Sequence, residues 1–330
     1  MSDLKIGFIG VGGVAQPHLN TLSAMDGVQI SAVCDAFADR AQEVGEKFGA
    51  AIYTDYKQMI EAEKLDGVYV CVIPGVHGDT ELDLAKARIP FYIEKPVHLD
   101  LDACGRVLDE LERNPIINSV GYHWRYAAGT QAARKFLDGK KISYVDGYWY
   151  GSFVGAPWWR QMKLSGGQLV EQSTHIVDMA RYLAGEVHTV YAAATTGAMT
   201  EIENYDIHDA SVATLHFDSG AIGTIISGCI AEKHGGSKVD ITLKGRDFNV
   251  WTNSDKAKWE SADNSDEIAG NQPWADQLGN GDRAFIAALR SGDQSGIISD
   301  YRSGAQTLAL TLAATQSMSS GQPEKVRRFV

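Results

Sequence analysis

A chain of 330 residues with 44% hydrophobic and 22% charged side chains has ordinary globular composition and is long enough for two domains. The formal charge of −12 is uneven: residues 1–121 hold 19 acidic against 10 basic side chains, and the remainder is nearly balanced. Neither part offers the basic field that nucleic acid or anionic lipid requires. Along the first third, short apolar runs at 5–9, 28–34, 67–73, 90–93 and 116–121 read as strands. Helix-period segments at about 14–25, 36–48, 55–62, 77–88 and 100–112 alternate with them, the pattern of a parallel sheet covered by helices.

Beyond Gly121 the pattern changes. Residues 123–137 predict a helix, 142–150 a strand, and 168–183 a further helix after a Trp- and Gly-rich loop. From 187 to 251 strands follow one another through polar turns, which predicts an antiparallel sheet. The polar stretch 253–272 is expected to be a mobile surface excursion. Helices near 274–290 and 300–319 complete the chain, the second stopped by Gly321 with Pro323 beyond. The expected fold is α/β: a Rossmann domain over 1–121, then an α+β domain over 122–330 with an open, mostly antiparallel sheet. No apolar run reaches the ~20 residues of a membrane span, and Met1-Ser2-Asp3-Leu4-Lys5 lacks a signal-peptide core. The expectation is therefore a cytoplasmic protein with no membrane or nucleic-acid partner. The four cysteines (34, 71, 104 and 229) show no C-x-x-C spacing and read as buried free thiols, with no metal site expected.

Three motifs carry chemistry. The run Gly10-Val11-Gly12-Gly13-Val14-Ala15, between a strand and a helix, fits G-x-G-x-x-A. Gly10 permits the tight turn, Gly12 lets backbone approach a pyrophosphate, and the helix start offers free N–H groups. Asp35 stands 20 residues past Ala15, at the end of the second strand, where a carboxylate binds ribose hydroxyls and repels a 2′-phosphate. The expected cofactor is thus NAD rather than NADP. Residues 36–38 supply no cation, although Arg40 is near in sequence.

The second motif is Tyr92-Ile93-Glu94-Lys95-Pro96. It places Glu94 and Lys95 at a strand exit, where open α/β sheets bind ligands, and Pro96 restrains the backbone of Lys95. A surface ion pair would look the same. Upstream, Pro74 and His77 follow another strand; His77 could line the crevice or cap a helix. In the third motif, Gly166-Gly167 precede a stretch in which Glu171, His175 and Asp178 stand at i, i+4 and i+7. On one helix they share a face, an imidazole base with carboxylates to orient it. A half-buried structural histidine is the alternative.

The combination resembles the glucose–fructose oxidoreductase/inositol dehydrogenase (Gfo/Idh/MocA) family over nearly the whole chain. The likeness runs through the glycine turn, Asp35, Pro74 with His77, Glu94-Lys95-Pro96, Gly121-Tyr122-His123-Trp124-Arg125-Tyr126 and the helix bearing His175 and Asp178. The resemblance implies that Lys95 borders the nicotinamide, that His175 transfers the proton, and that Trp159-Arg160 reach the cofactor from the second domain. It also implies a cis peptide before Pro96 and an open sheet that supports a homo-oligomer, a dimer or tetramer. Glu171 and His123 depart from the family's common Asp and Asn.

These features lead to an oxidoreductase that moves a hydride between NAD(H) and a hydroxyl-bearing carbon of a sugar, glycoside or cyclitol. His175, Lys95 and Glu171 are its expected catalytic residues. Gly10, Val11, Gly12, Gly13, Val14, Asp35, Pro74, His77, Glu94, Lys95, His123, Trp159 and Arg160 are its cofactor-binding residues. Trp149, Tyr150, Trp158 and Trp159 offer rings on which a sugar could stack, or serve the core. The alternative is a catalytically silent, dinucleotide-sensing regulator on the same fold; the presence of Lys95 together with His175 argues against it.

Overall fold

Six parallel strands make the first sheet of the computed structural model, which describes residues 3–231, 235–262, 265–268, 270 and 272–329. They are β1 (Leu4–Ile9), β2 (Val28–Cys34), β3 (Ala51–Tyr53), β4 (Gly67–Val70), β5 (Phe91–Ile93) and β6 (Asn118–Val120). Their order is β3-β2-β1-β4-β5-β6, with crossovers through α1 (Ala15–Ser23), α2 (Ala38–Phe48), α3 (Tyr56–Ala62), α4 (Thr80–Lys86) and α5 (Leu101–Arg113). The near-continuous apolar strands follow from burial on both faces, since helices cover each side. β3 is a three-residue edge strand that the hydrophobic pattern does not announce.

The register aligns the strand ends. Cys34 pairs with Ile9, Ile9 with Val70, Val70 with Ile93, and Ile93 with Val120. One residue further on, Asp35, Gly10, Cys71, Glu94 and Gly121 therefore follow in a row along the carboxyl edge. Chain order reverses beside β1, which makes this edge the ligand-binding crevice of a doubly wound sheet.

The chain forms two compact units: Met1–His123 with Pro273–Gly304, and Trp124–Gln272 with Ala305–Val330. The sequence pattern instead divides the chain at 121/122 and gives everything beyond to the second domain. The returning segment belongs to the first unit because the helix Trp274–Ser291 buries Phe285 and Ile286 in that unit's core, beside Tyr69, Tyr92 and Leu19. Gly67, lacking a side chain, makes room for Phe285 and Leu289 of this helix.

In the second unit, α6 (Ala128–Leu137), β7 (Ile142–Tyr150), α7 (Met162–Ser165), α8 (Gln168–Glu171) and α9 (Thr174–Ala184) come first. They are followed by β8 (Val187–Thr195), β9 (Ala210–Phe217), β10 (Ile222–Gly228), β11 (Lys238–Gly245), β12 (Phe248–Thr252), β13 (Ala257–Ser261) and β14 (Ser265–Ile268). After Ala305, the rest of the helix Tyr301–Ser320 and β15 (Glu324–Lys325) complete it. The nine strands run β14-β13-β12-β11-β7-β10-β9-β8-β15, antiparallel except for the pair β7–β10. Residues 232–234, inside the stretch read as consecutive strands, lie outside the described residues.

α9 packs on one face, where Gly147 leaves space for Ile176. On the other, Val212 pairs with Ile226 and Ala193, and Tyr191 pairs with Thr214, leaving Tyr191, Val212 and Ile222 exposed. The stretch 253–272 is not the expected loose excursion. It carries β13 and β14 because Ala257 and Trp259 alternate with exposed Lys258 and Glu260, and Trp259 stacks on Phe136. Residues 263, 264, 269 and 271 of that stretch lie outside the described residues.

Candidate active site

The glycine turn is built by backbone bonds that only a residue without a side chain can make here. Gly10 has φ +82°, its N–H donates to Cys34 O over 2.8 Å, and a Cβ would stand 2.7 Å from Cys71 O. Val11 N–H donates to Asp35 Oδ2 at 3.0 Å, so the turn and the carboxylate at the end of β2 are tied together. Nothing lies within 4 Å of the place where Gly13 would carry a Cβ, and Val14 begins α1 without a side-chain cap. This open turn at a helix start without a side-chain cap fits a dinucleotide pyrophosphate.

Asp35 is buried and doubly held. Oδ1 accepts from Phe37 N–H at 2.9 Å, and Oδ2 also accepts from Arg40 Nη1 at 3.2 Å. Arg40 lies over the Phe37 ring at 4.7 Å, and its Nη1 is close to Gly12. A cation therefore does stand beside Asp35, supplied from just beyond the cation-free segment 36–38.

At the exit of β5, Glu94 is buried and Lys95 half-buried, and the Lys95–Pro96 peptide is cis. Gly121 has no side chain because the Glu94 carboxyl occupies the space a Cβ would take. Glu94 Oε1 lies 3.1 Å from His18 Nε2, and His18 Nδ1 lies 2.6 Å from Asp282 Oδ1. Pro74 opens a short 3₁₀ turn. His77 is buried, with Nδ1 2.7 Å from Glu81 Oε1, and its carbonyl accepts from Thr80 at the start of α4. His123 is buried as well. Burial pushes its imidazole down to about 4, Lys95 acts in the same direction, and Glu94 opposes them.

In the second unit, Glu171 and His175 do not share one helix as the spacing predicts. α8 ends at Glu171, and Ser173 N–H reaches back five residues to Gln168 O, so the register slips before α9. Ser173 Oγ meets Ser227 Oγ at 2.7 Å, which anchors that break to β10. Glu171 Oε2 accepts from Trp159 Nε1 at 2.8 Å. Asp178 is not an orienter of the imidazole. It accepts from Arg125 Nε and Nη2 at 2.7 and 2.6 Å and from Thr307 Oγ1 at 2.8 Å.

His175 lies near the start of α9 with its ring roughly parallel to Trp124 and Trp149, at centroid distances of 5.8 and 5.5 Å. Trp159 is buried against Phe153, and Arg160 follows it half-buried. Thus Gly10, Val11, Gly12, Gly13, Val14, Asp35, Pro74, His77, Glu94, Lys95 and His123 belong to the first unit. Trp159, Arg160, Glu171 and His175 belong to the second. Among the described residues no cluster of His, Cys, Asp or Glu could hold a metal ion, and no helix is long and apolar enough to cross a membrane.

Two family models match the chain: an oxidoreductase family with an NAD-binding Rossmann fold over residues 4–122, and the GFO/IDH/MocA C-terminal domain over 133–246. The chain belongs to the GFO/IDH/MocA family. It is 30% identical to myo-inositol 2-dehydrogenase of Thermotoga maritima over 225 residues, 67% of each chain. It is 25% identical to D-glucoside 3-dehydrogenase of Escherichia coli over 241 residues, 67% of this chain and 69% of that one. The fold matches levoglucosan dehydrogenase in complex with NADH at a TM-score of 0.87 and 18% identity, covering 99% of this chain and 100% of that one.

Within this GFO/IDH/MocA protein, three side chains at the dinucleotide unit escape the sequence motifs. Arg40 is visible in sequence, but its reach to Asp35 is not. His18 sits on the apolar face of α1 with Ala15, Leu19 and Leu22, a signal that a buried partner exists. Asp282, that partner, lies 264 residues away, and no spacing rule connects the two.

Proposed function

We propose that the protein is an NAD-dependent dehydrogenase of a small polyhydroxylated ring, a sugar, glycoside or cyclitol. The observation that carries this is the His175 imidazole set against the parallel indoles of Trp124 and Trp149. An acid–base group beside flat apolar rings suits a substrate whose ring has both an apolar face and ionisable hydroxyls. The named relatives, an inositol dehydrogenase and a glucoside dehydrogenase, support that class.

In this reading His175 accepts the proton of a substrate hydroxyl while the carbon bearing it gives up hydride and becomes a carbonyl. NAD supplies the hydride acceptor. Lys95 stabilises the negative charge developing on the oxygen. Asp35 and the 10–14 turn hold the dinucleotide, and Glu94, His77, Pro74 and His123 serve its nicotinamide end. Trp159, Arg160 and Glu171 are the second unit's contribution to binding. Four buried free cysteines support a reducing compartment, hence the cytoplasm. The exposed sheet face of Tyr191, Val212 and Ile222 supports a homo-oligomer.

A panel of inositols, aldoses and glycosides, followed by NADH absorbance, tests the reading. Turnover with at least one ring polyol is the expected result. Tight NADH binding with no turnover across the panel would favour a regulatory protein instead.

A further inference from the structure

Asp282, His18 and Glu94 form a chain of three titratable groups inside the first unit. The His18 and Asp282 side chains are 0% exposed and that of Glu94 5%. The two ring nitrogens of His18 face two different carboxylates, Nδ1 toward Asp282 and Nε2 toward Glu94. A carboxylate only accepts, so both contacts are hydrogen bonds only when both nitrogens carry protons. A neutral imidazole would turn a lone pair onto one buried carboxylate, a costly arrangement away from water.

The surroundings keep water out. Tyr69 and Tyr92 lie against the imidazole at 5.4 and 5.2 Å between centroids. The other titratable groups nearby are Cys71 after β4, whose thiol burial pushes up, Lys95 after β5 and His123 after β6. The three-membered chain then carries one net negative charge, at the point where Lys95 brings one positive charge.

We propose that His18 is a positioning residue of the dinucleotide site. Held as an imidazolium by Asp282, it fixes the Glu94 carboxylate at the carboxyl edge of the sheet. There the carboxylate offsets Lys95 and favours the positively charged oxidised nicotinamide over the neutral reduced one. The inference rests on the dinucleotide assignment and adds to it a determinant of redox-state preference. It also makes the helix Trp274–Ser291, far along the chain, part of the cofactor machinery through Asp282. The strength of the three-membered chain agrees with this: burial would push His18 down, yet Asp282 and Glu94 hold it up at about 10.

The test is the ratio of NAD+ to NADH dissociation constants for the full chain, measured by calorimetry between pH 6.5 and 9. In the wild type the ratio should stay flat, because His18, held up at about 10, keeps its charge over most of that window. Glu94→Gln should weaken NAD+ relative to NADH by roughly tenfold, the effect of one charge removed near a cationic ring. His18→Gln, which removes the imidazolium that holds Glu94 in place, should shift the ratio in the same direction as Glu94→Gln.

A Glu94→Gln ratio within twofold of wild type overturns the proposal, as does a His18→Gln ratio unchanged from wild type. If His18→Gln does not fold, imidazole nitrogen NMR of the wild type still decides. One histidine with both ring nitrogens protonated should persist at pH 8.5, and its absence overturns the inference. Wild-type protein that binds neither dinucleotide would overturn the cofactor assignment itself, which separates the two failures.

Discussion

The indole Nε1–H of Trp159 donates to Oε2 of Glu171 over 2.8 Å, and both side chains are buried. The bond joins the irregular 151–161 loop to α8, so a residue expected to serve His175 also fixes a Trp-bearing loop. A buried donor left without an acceptor costs ~1–3 kcal/mol. Glu171→Ala should therefore lower urea-derived stability by about that amount. Glu171→Gln keeps an acceptor oxygen and should lose less than ~1 kcal/mol. Equal losses in the two variants would show that the hydrogen bond is not what matters.

Cofactor preference depends on the Asp35–Arg40 pair. The buried carboxylate of Asp35 already holds Arg40. NAD should bind more tightly than NADP, since a 2′-phosphate would meet that carboxylate. Asp35→Ser should narrow the gap by releasing Arg40 to pair with the phosphate, on the order of tenfold in relative affinity. Adding Arg40→Ala to Asp35→Ser should remove the gain. Fluorescence titration with NADH and NADPH checks the series, and tighter NADPH binding by the wild type would contradict it.

How far the sequence discloses this arrangement depends on whether the determining contacts are local. The parallel strands are legible because burial on both faces makes them apolar throughout, and the glycine turn because its motif lies within a few residues. Asp35 is legible because strand ends align in a parallel register. β3 is not, being three residues at an edge. The break between α8 and α9 is invisible because it is anchored by a hydrogen bond between the hydroxyls of Ser173 and of Ser227 on another element. Trp259 reads as a loop residue until Phe136 is seen beneath it. His18 announces only that some partner must exist. That the partners are Asp282 and Glu94 is a fact of tertiary packing.

His175 should carry the acid–base step. His175→Ala is expected to cut turnover by roughly 10²–10⁴-fold while leaving NADH affinity within about threefold, because the glycine turn and Asp35 lie in the other unit. Near wild-type turnover with an unchanged pH profile would remove His175 from the role and leave Lys95 as the leading candidate.

Two of the buried histidines of the first unit, His18 and His123, predict opposite limbs of a stability–pH curve. His18 is held up to about 10 against an unfolded value of ~6.5: burial alone would lower it, but Asp282 and Glu94 outweigh burial. A raised folded value gives stability that is fully present below pH ~6.5 and is lost as pH climbs through about 10. His123 is pushed down to about 4, mainly by burial. Between that value and ~6.5 the unfolded chain binds a proton that the folded chain refuses. Stability therefore falls as pH drops through this window. The maximum should lie between the two limbs, close to pH ~7, with losses on the order of 2–4 kcal/mol toward each side. Urea unfolding from pH 4.5 to 9.5 tests both limbs in one series. His18→Gln should flatten the alkaline limb and leave the acid one, and His123→Gln should do the reverse. An alkaline limb that survives His18→Gln intact would mean that some other group titrates there.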